Sequence, residues 1–205
     1  NDAMTGGTAS QPAGGTPSPG PAPAREPIEP VEITAGRIHL RPWQIRDAEA
    51  VYTACQDPEI SRWLPLPRPY TRADAETFVS RLAPQEWAAG TGAHLAVVDA
   101  TTEEVLASVG LHDITADGDA QIGYWCAAAA RGRGVTTQAV GALLRWGFGA
   151  LGLRRVEWRA AVGNDASRRV AQKAGFTMEG TLRAALVLGD GRRHDCWIGS
   201  RLWTD

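Results

Sequence analysis

Trp125-Cys-Ala-Ala-Ala-Ala-Arg131-Gly132-Arg133-Gly134-Val135-Thr136, running straight into Thr137-Gln-Ala-Val-Gly-Ala-Leu-Leu-Arg-Trp-Gly-Phe148, decides the fold. It reads as a strand, a glycine-punctuated loop and an amphipathic helix. Val140, Leu143, Leu144, Phe148 and Leu151 recur at helical spacing on one side, and Gly152 ends the helix. The first-turn amides of such a helix have no intrahelical partner, and the helix dipole puts positive potential on them. A loop of this kind is a ready-made anion site. Gly132 and Gly134 allow close approach of the backbone, and Arg131 and Arg133 add charge.

On either side the pattern continues. Ile38-His-Leu-Arg-Pro42 alternates as a strand, and Asp47 to Cys55 reads as a short helix capped by Asp47. Pro65 to Pro69 is a rigid loop, and Thr71-Arg-Ala-Asp74 has the form of a capping box opening a helix towards Trp87. His94–Val98, Val105–Leu111 and Ala120–Cys126 read as strands, with a turn at Asp117-Gly-Asp119. Beyond the central helix come a strand at Arg155–Val162, a helix opened by Asn164-Asp-Ala-Ser167 and closed by Gly175, and a strand from Phe176. Gly189-Asp-Gly191 then turns the chain into a last strand ending near Trp203. Strand–helix–strand–helix–strand flanked by hairpins implies a mixed α/β sheet.

The chain has 205 residues. Residues 1–30 are dominated by Gly, Pro, Ser, Thr and Ala and bury too little apolar surface to offset their ordering entropy. They read as a cloning scar, Asn1-Asp-Ala3, ahead of a native start at Met4 and a flexible tail. The tail's proline spacing also suits a partner that reads polyproline, or a neighbouring copy's acceptor groove. Residues 31–205 are the right size for one domain. A net charge of −2 gives no reason to expect nucleic-acid binding. No stretch is long and apolar enough for a membrane span. Cys55, Cys126 and Cys196 are odd in number and include no C-x-x-C, which argues against a disulfide framework or zinc site and fits a reducing cytoplasm.

Ile122-Gly-Tyr-Trp125, Arg131-Gly-Arg-Gly134, Trp146-Gly-Phe148, Leu151-Gly-Leu153, Asn164-Asp-Ala-Ser167, Gly175-Phe176 and Glu179-Gly-Thr-Leu-Arg183 stand in the order seen in GNAT acetyltransferases. The closest likeness is to the RimJ/RimL branch, and it covers about residues 36–203; Asp195 a few residues after the Gly191 turn agrees with it. The resemblance implies the GNAT acyl-CoA N-acyltransferase fold: a mixed, largely antiparallel sheet of about seven strands flanked by about four helices. It also implies acetyl-CoA as cosubstrate, no metal, an amine acceptor that is a peptide N-terminus or a small molecule, and a homodimer as the common assembly.

Residue by residue, the resemblance places the coenzyme diphosphate against Arg131, Gly132, Arg133, Gly134 and Thr136. It places the pantetheine arm along Tyr124, Trp125 and Cys126 and beside Asn164. Ser167 matches the residue that meets the coenzyme sulfur, Glu179 the general base, and Trp63 falls near the acceptor pocket. Asn164 is also a helix cap in its own right, Ser167 can bond its own backbone, and Glu179 can pair with Arg183, four residues on. Two departures stand out. Thr136 occupies a place where the family usually has Gly or Ala, and Gln121 stands where many relatives carry Glu. They motivate a second reading, a non-catalytic acyl-CoA-binding module. Within the enzyme class, succinyl-CoA as donor and an antibiotic as acceptor stay open. His112, at a strand end, can approach the cleft.

The chemistry implied is acyl transfer in a ternary complex. The amine has to lose a proton before it can attack, and an α-amine titrates near ~8 against ~10.4 for Lys, so neutralising a lysine at pH 7 costs about 3 kcal/mol more. An enzyme with a modest base therefore suits an α-amine.

Overall fold

In the run Ala93-His-Leu-Ala-Val-Val-Asp99, Leu95 and Val97 are fully buried and so are Ala96 and Val98 on the alternate face. A strand apolar on both faces needs a layer on each side. That is what the computed structural model shows for residues 25–205, the residues it describes. The elements in order are β1 (Ile33–Ala35), β2 (Ile38–Pro42), α1 (Ala48–Gln56), α2 (Pro58–Ser61), α3 (Arg72–Thr77), α4 (Ala83–Ala89), β3 (Ala93–Asp99), β4 (Val105–His112), β5 (Asp119–Cys126), α5 (Val135–Ala150), β6 (Arg155–Ala161), α6 (Asp165–Lys173), β7 (Thr177–Val187) and β8 (Arg193–Leu202).

The strands form one sheet in the order β1-β2-β3-β4-β5-β6-β8-β7, antiparallel throughout except for the parallel pair β5–β6. This is the expected mixed, largely antiparallel GNAT architecture, with eight strands rather than about seven. The added strand, β1, is three residues long and hairpins onto β2 through Gly36 at φ +59°. Three residues carry no readable alternation. The helices exceed the expected four. α2 is a single turn with Pro58 in its first turn and Asp57 as its cap, accepting from the Glu59 N–H at 2.9 Å. The helix expected from Thr71 does begin with the capping box, Thr71 and Asp74 exchanging hydrogen bonds. It then passes through a π-helical turn at Phe78–Leu82 before α4. Pro84 supplies the reason: it has no N–H to return to the preceding turn.

α5 covers one face, burying Val140, Leu143 and Leu144 against Leu111, Val156 and Trp158. On the other face α1, α3, the π-helical turn and α4 pack Val51, Ala75, Val79 and Ala83 on Trp43, Ala96 and Val98. On that same side Arg41 and Asp47, each 4% exposed, form a two-pronged ion pair at 2.8 and 3.0 Å.

Of the tail segment, residues 1–24 lie outside the described residues. Residues 25–30 run along the domain: Ile28 is buried and donates its N–H to the Trp87 carbonyl at 2.9 Å. Among the described residues no helix is long and apolar enough to cross a membrane.

The one parallel pairing positions the site. β5 and β6 are registered only from Asp119↔Arg155 to Ile122↔Trp158. From Gly123 onward β5 has no partner on its β6 side, and the sheet parts there.

Candidate active site

The parted strands open into a cleft of about 350 Å³. Its walls come from the free end of β5 (Tyr124, Trp125, Cys126), the loop and first turn of α5, one side of α6, and α2 with the residues after it. Of the residues singled out from the sequence, Trp63, Tyr124, Trp125, Cys126, Arg131, Gly132, Gly134, Thr136, Asn164 and Ser167 all line it. They run from Trp63 to Ser167 in the chain, and the parting of the sheet brings them together.

The loop is shaped as its glycines require. Gly132 and Gly134 have φ of +75° and +73°, and neither has an atom within 4 Å of where a Cβ would stand. Gly134 caps α5 without a side-chain hydrogen bond, and Val135, Thr136 and Thr137 of the first turn face the cleft. Thr136 lines the cleft while only 7% exposed, so it is tucked into the wall. Arg131 reaches across to Asp57 at 2.7 Å, tying the loop to the cap of α2. The Asp57 carboxyl is held below its ordinary range, first by the Glu59 N–H and then by Arg131.

Deeper in, α6 presents Ser167. Asn164 caps this helix, accepting from the Ser167 N–H at 3.3 Å. The Ser167 hydroxyl accepts from the Trp158 indole at 3.0 Å and lies 3.3 Å from the Tyr124 hydroxyl. The Tyr124 hydroxyl in turn donates to the Ser167 carbonyl at 2.7 Å. The Ser167 hydroxyl thus joins a half-buried polar triad with Trp158 and Tyr124. Desolvation pushes the Tyr124 phenol well above its ordinary value, so it stays protonated. Trp63 stands over Gly163, 3.6 Å from its missing Cβ, with the Arg62 guanidinium 4.6 Å from its ring centre.

Two expected residues lie elsewhere. Arg133 does not line the cleft. Glu179 does not either. Its carboxylate takes both prongs of Arg155 at 3.0 Å and the hydroxyl of Ser200. These contacts hold its carboxyl below the ordinary range, Arg155 contributing most, which is the wrong direction for a base working near neutrality. Its partner is not Arg183. A bulge between Met178 and Gly180 breaks the alternation that would have set the two side by side.

Sequence reasoning missed Arg169 and Lys173, which add two cations to the cleft wall, and Glu59, Ile60 and Leu64 opposite them. The signal for the cations was present. Residues 169 and 173 are four apart on α6, so they share the face that begins with Ala166.

This donor set fits a coenzyme A thioester: a nest of main-chain amides with Arg131, Arg169 and Lys173 for phosphates, the free edge of β5 for an amide-bearing arm, and Ser167 where the arm ends. Residues 37–177 match the family described as acetyltransferase (GNAT) domain, and the chain belongs to that family. By class it is an N-acetyltransferase. It is 38% identical over 71 residues to the ribosomal-protein-serine acetyltransferase of Escherichia coli (strain K12), a match covering 35% of this chain and 40% of that protein. To the uncharacterized N-acetyltransferase p20 of Bacillus licheniformis it is 26% identical over 148 residues, 72% of this chain and 83% of p20. Its fold matches that of Mycobacterium smegmatis RimJ, solved with a CoA disulfide, at a TM-score of 0.72 and 25% identity over 85% of this chain and 86% of that one.

Proposed function

We propose that the chain transfers an acetyl group from acetyl-CoA to a primary amine, with a protein N-terminus as the favoured acceptor. The carrying observation is the cleft at the parting of β5 and β6, where an uncapped helix N-terminus, the Gly132–Gly134 loop and Arg131 converge. The RimJ relative bound to a CoA disulfide supports the coenzyme. The relative named for acetylating ribosomal-protein serine supports the acceptor class.

In this reading the coenzyme supplies an activated acetyl thioester. The amides of Gly132, Gly134 and Thr136, with Arg131, bind its diphosphate. The unpaired edge of β5 at Tyr124–Cys126 and the side chain of Asn164 orient the arm. Ser167, its hydroxyl held by Trp158 and Tyr124, meets the sulfur and offers it a hydrogen bond as the thiolate departs. Trp63 walls the acceptor side. Attack is direct, without a covalent enzyme intermediate. The free cysteines Cys55, Cys126 and Cys196 support a cytoplasmic place of work.

Calorimetry with acetyl-CoA, paired with thiol release against peptides beginning with Ser or Ala, tests the reading. Affinity together with turnover is expected. Affinity without turnover on any amine favours the binding-module reading that Gln121 motivates. No affinity at millimolar coenzyme removes both.

A further inference from the structure

On the face of the sheet turned towards α1, α3 and α4, one row crosses three strands with a single side chain of its own, His94. His94 on β3 is registered with Gly110 on β4, and Gly110 with Gly123 on β5. Gly123 is the first residue beyond the last β5–β6 pair, so the row ends where the sheet parts. Trp125, two residues further along the same face, lines the cleft, so the row ends at Gly123 two residues short of the cleft wall.

Two imidazoles lean over this row, each held from behind by a carboxylate. His94 Nε2 lies 2.5 Å from Glu86 Oε2 of α4, and its Nδ1 would stand 2.6 Å from a Cβ at position 110. His112 Nδ1 lies 3.1 Å from Asp113 Oδ2, and its Nε2 would stand 3.6 Å from a Cβ at position 123. With the carboxylate-facing nitrogen of each ring carrying its hydrogen, the nitrogen over the row carries the lone pair. Gln121, in register with His112, donates to the same Asp113 oxygen at 3.2 Å. The remaining neighbours are Phe78, edge-on to His94, and, one strand on, Glu157, which is tied to Arg155 and Arg159. Among the described residues no cluster of His, Cys, Asp and Glu is arranged to hold a metal ion. The arrangement suits proton transfer.

We infer that the acceptor amine lies over Gly123, where the sheet parts, and that His112, steadied by Asp113, takes its proton, with the Glu86–His94 pair closing the far end over Gly110. This rests on the acetyl-CoA reading above. The ammonium gives one proton to His112 Nε2, which passes it to solvent. The neutral nitrogen forms the N–C bond to the acetyl carbonyl carbon, the C–S bond breaks, and the nitrogen's surplus proton ends on the departing coenzyme sulfur. Gln121 then serves to hold Asp113 and leaves the proton to the histidine. Glu179, committed to Arg155, is not needed as the base.

The test uses the full chain and, as probe, whichever of peptides beginning with Ser, Ala or Met, or spermidine, the wild type acetylates fastest. H112A is expected to lose about a hundredfold or more in kcat/KM, the range of a general base, and to recover part of it when imidazole is added to the buffer. G123A places a methyl group on the row at an ordinary contact distance and is expected to raise the amine KM about fivefold or more. Both are expected to keep the wild-type affinity for acetyl-CoA, which also reports an intact fold. Full activity in H112A, or a loss that imidazole does not restore, overturns the proposal. So does a wild type that binds acetyl-CoA and acetylates none of the probes, an outcome that leaves the coenzyme reading standing. A wild type without affinity for acetyl-CoA removes the coenzyme reading and this one with it.

Discussion

Arg131 and Glu179 show what a single charged residue does and does not disclose in advance. Arg131 was legible because its role follows from what comes next in sequence: glycines one and three residues on and a helix start at Val135, four residues on. Charge-assisted hydrogen bonds are worth about 1.5–3 kcal/mol, so R131A should weaken acetyl-CoA binding about 10- to 100-fold by calorimetry. Glu179 was not legible, because its partner, Arg155, sits 24 residues away on another strand, and the bulge at Glu179 is invisible to a pattern of period two. Its carboxyl is already ionised and well satisfied. E179Q should therefore leave kcat/KM within about threefold, where removal of a working base would cost about a hundredfold or more. The two outcomes separate ion pair from catalyst. Arg133 belongs with Glu179: the sequence shows the charge but not which way the loop turns it.

Among the elements, α5 and α6 were readable almost whole, with their caps, because capping is local chemistry. Asn164 is an example. It terminates α6 and at the same time fixes Ser167 one turn in. N164A should cost about 1 kcal/mol, a fall of about 2–4 °C in Tm by calorimetry for a domain of this size. It should also lower turnover, because the Ser167 hydroxyl loses its register with Trp158 and Tyr124. The three-residue β1, the single-turn α2 and the π turn before α4 were not readable. The first two are too short to show a period. The third depends on how one proline is absorbed inside a helix that otherwise carries on. What the sequence could not show of the site has the same origin: α2 supplies a wall of the cleft, and the His94–Gly110–Gly123 row exists only once β3, β4 and β5 are in register.

At the level of the whole molecule, both faces of the sheet are stabilised by apolar packing, and one of them also holds the Arg41–Asp47 pair. Removing one partner of a buried pair leaves the other charge uncompensated, so D47A should cost about 3–5 kcal/mol, read from the urea midpoint. Two carboxylates give the fold an acid dependence. Glu86 is held below the ordinary range chiefly by His94, and Glu179 chiefly by Arg155. A carboxyl whose folded value lies below its unfolded one stabilises the fold above the unfolded value and loses that contribution as pH falls through the folded one. Tm should therefore drop as pH is taken from about 5 to about 3, and the drop should be shallower in an E86Q variant.

β5 and β6 stay together for only four registered pairs. In the reading above the coenzyme lies against α5 and α6, and the acceptor on the face of the sheet turned towards α1, α3 and α4. Two ligands entering from opposite sides do not obstruct one another, so neither has to arrive first. Double-reciprocal plots should intersect rather than run parallel, and free coenzyme A should inhibit competitively against acetyl-CoA but not against the amine.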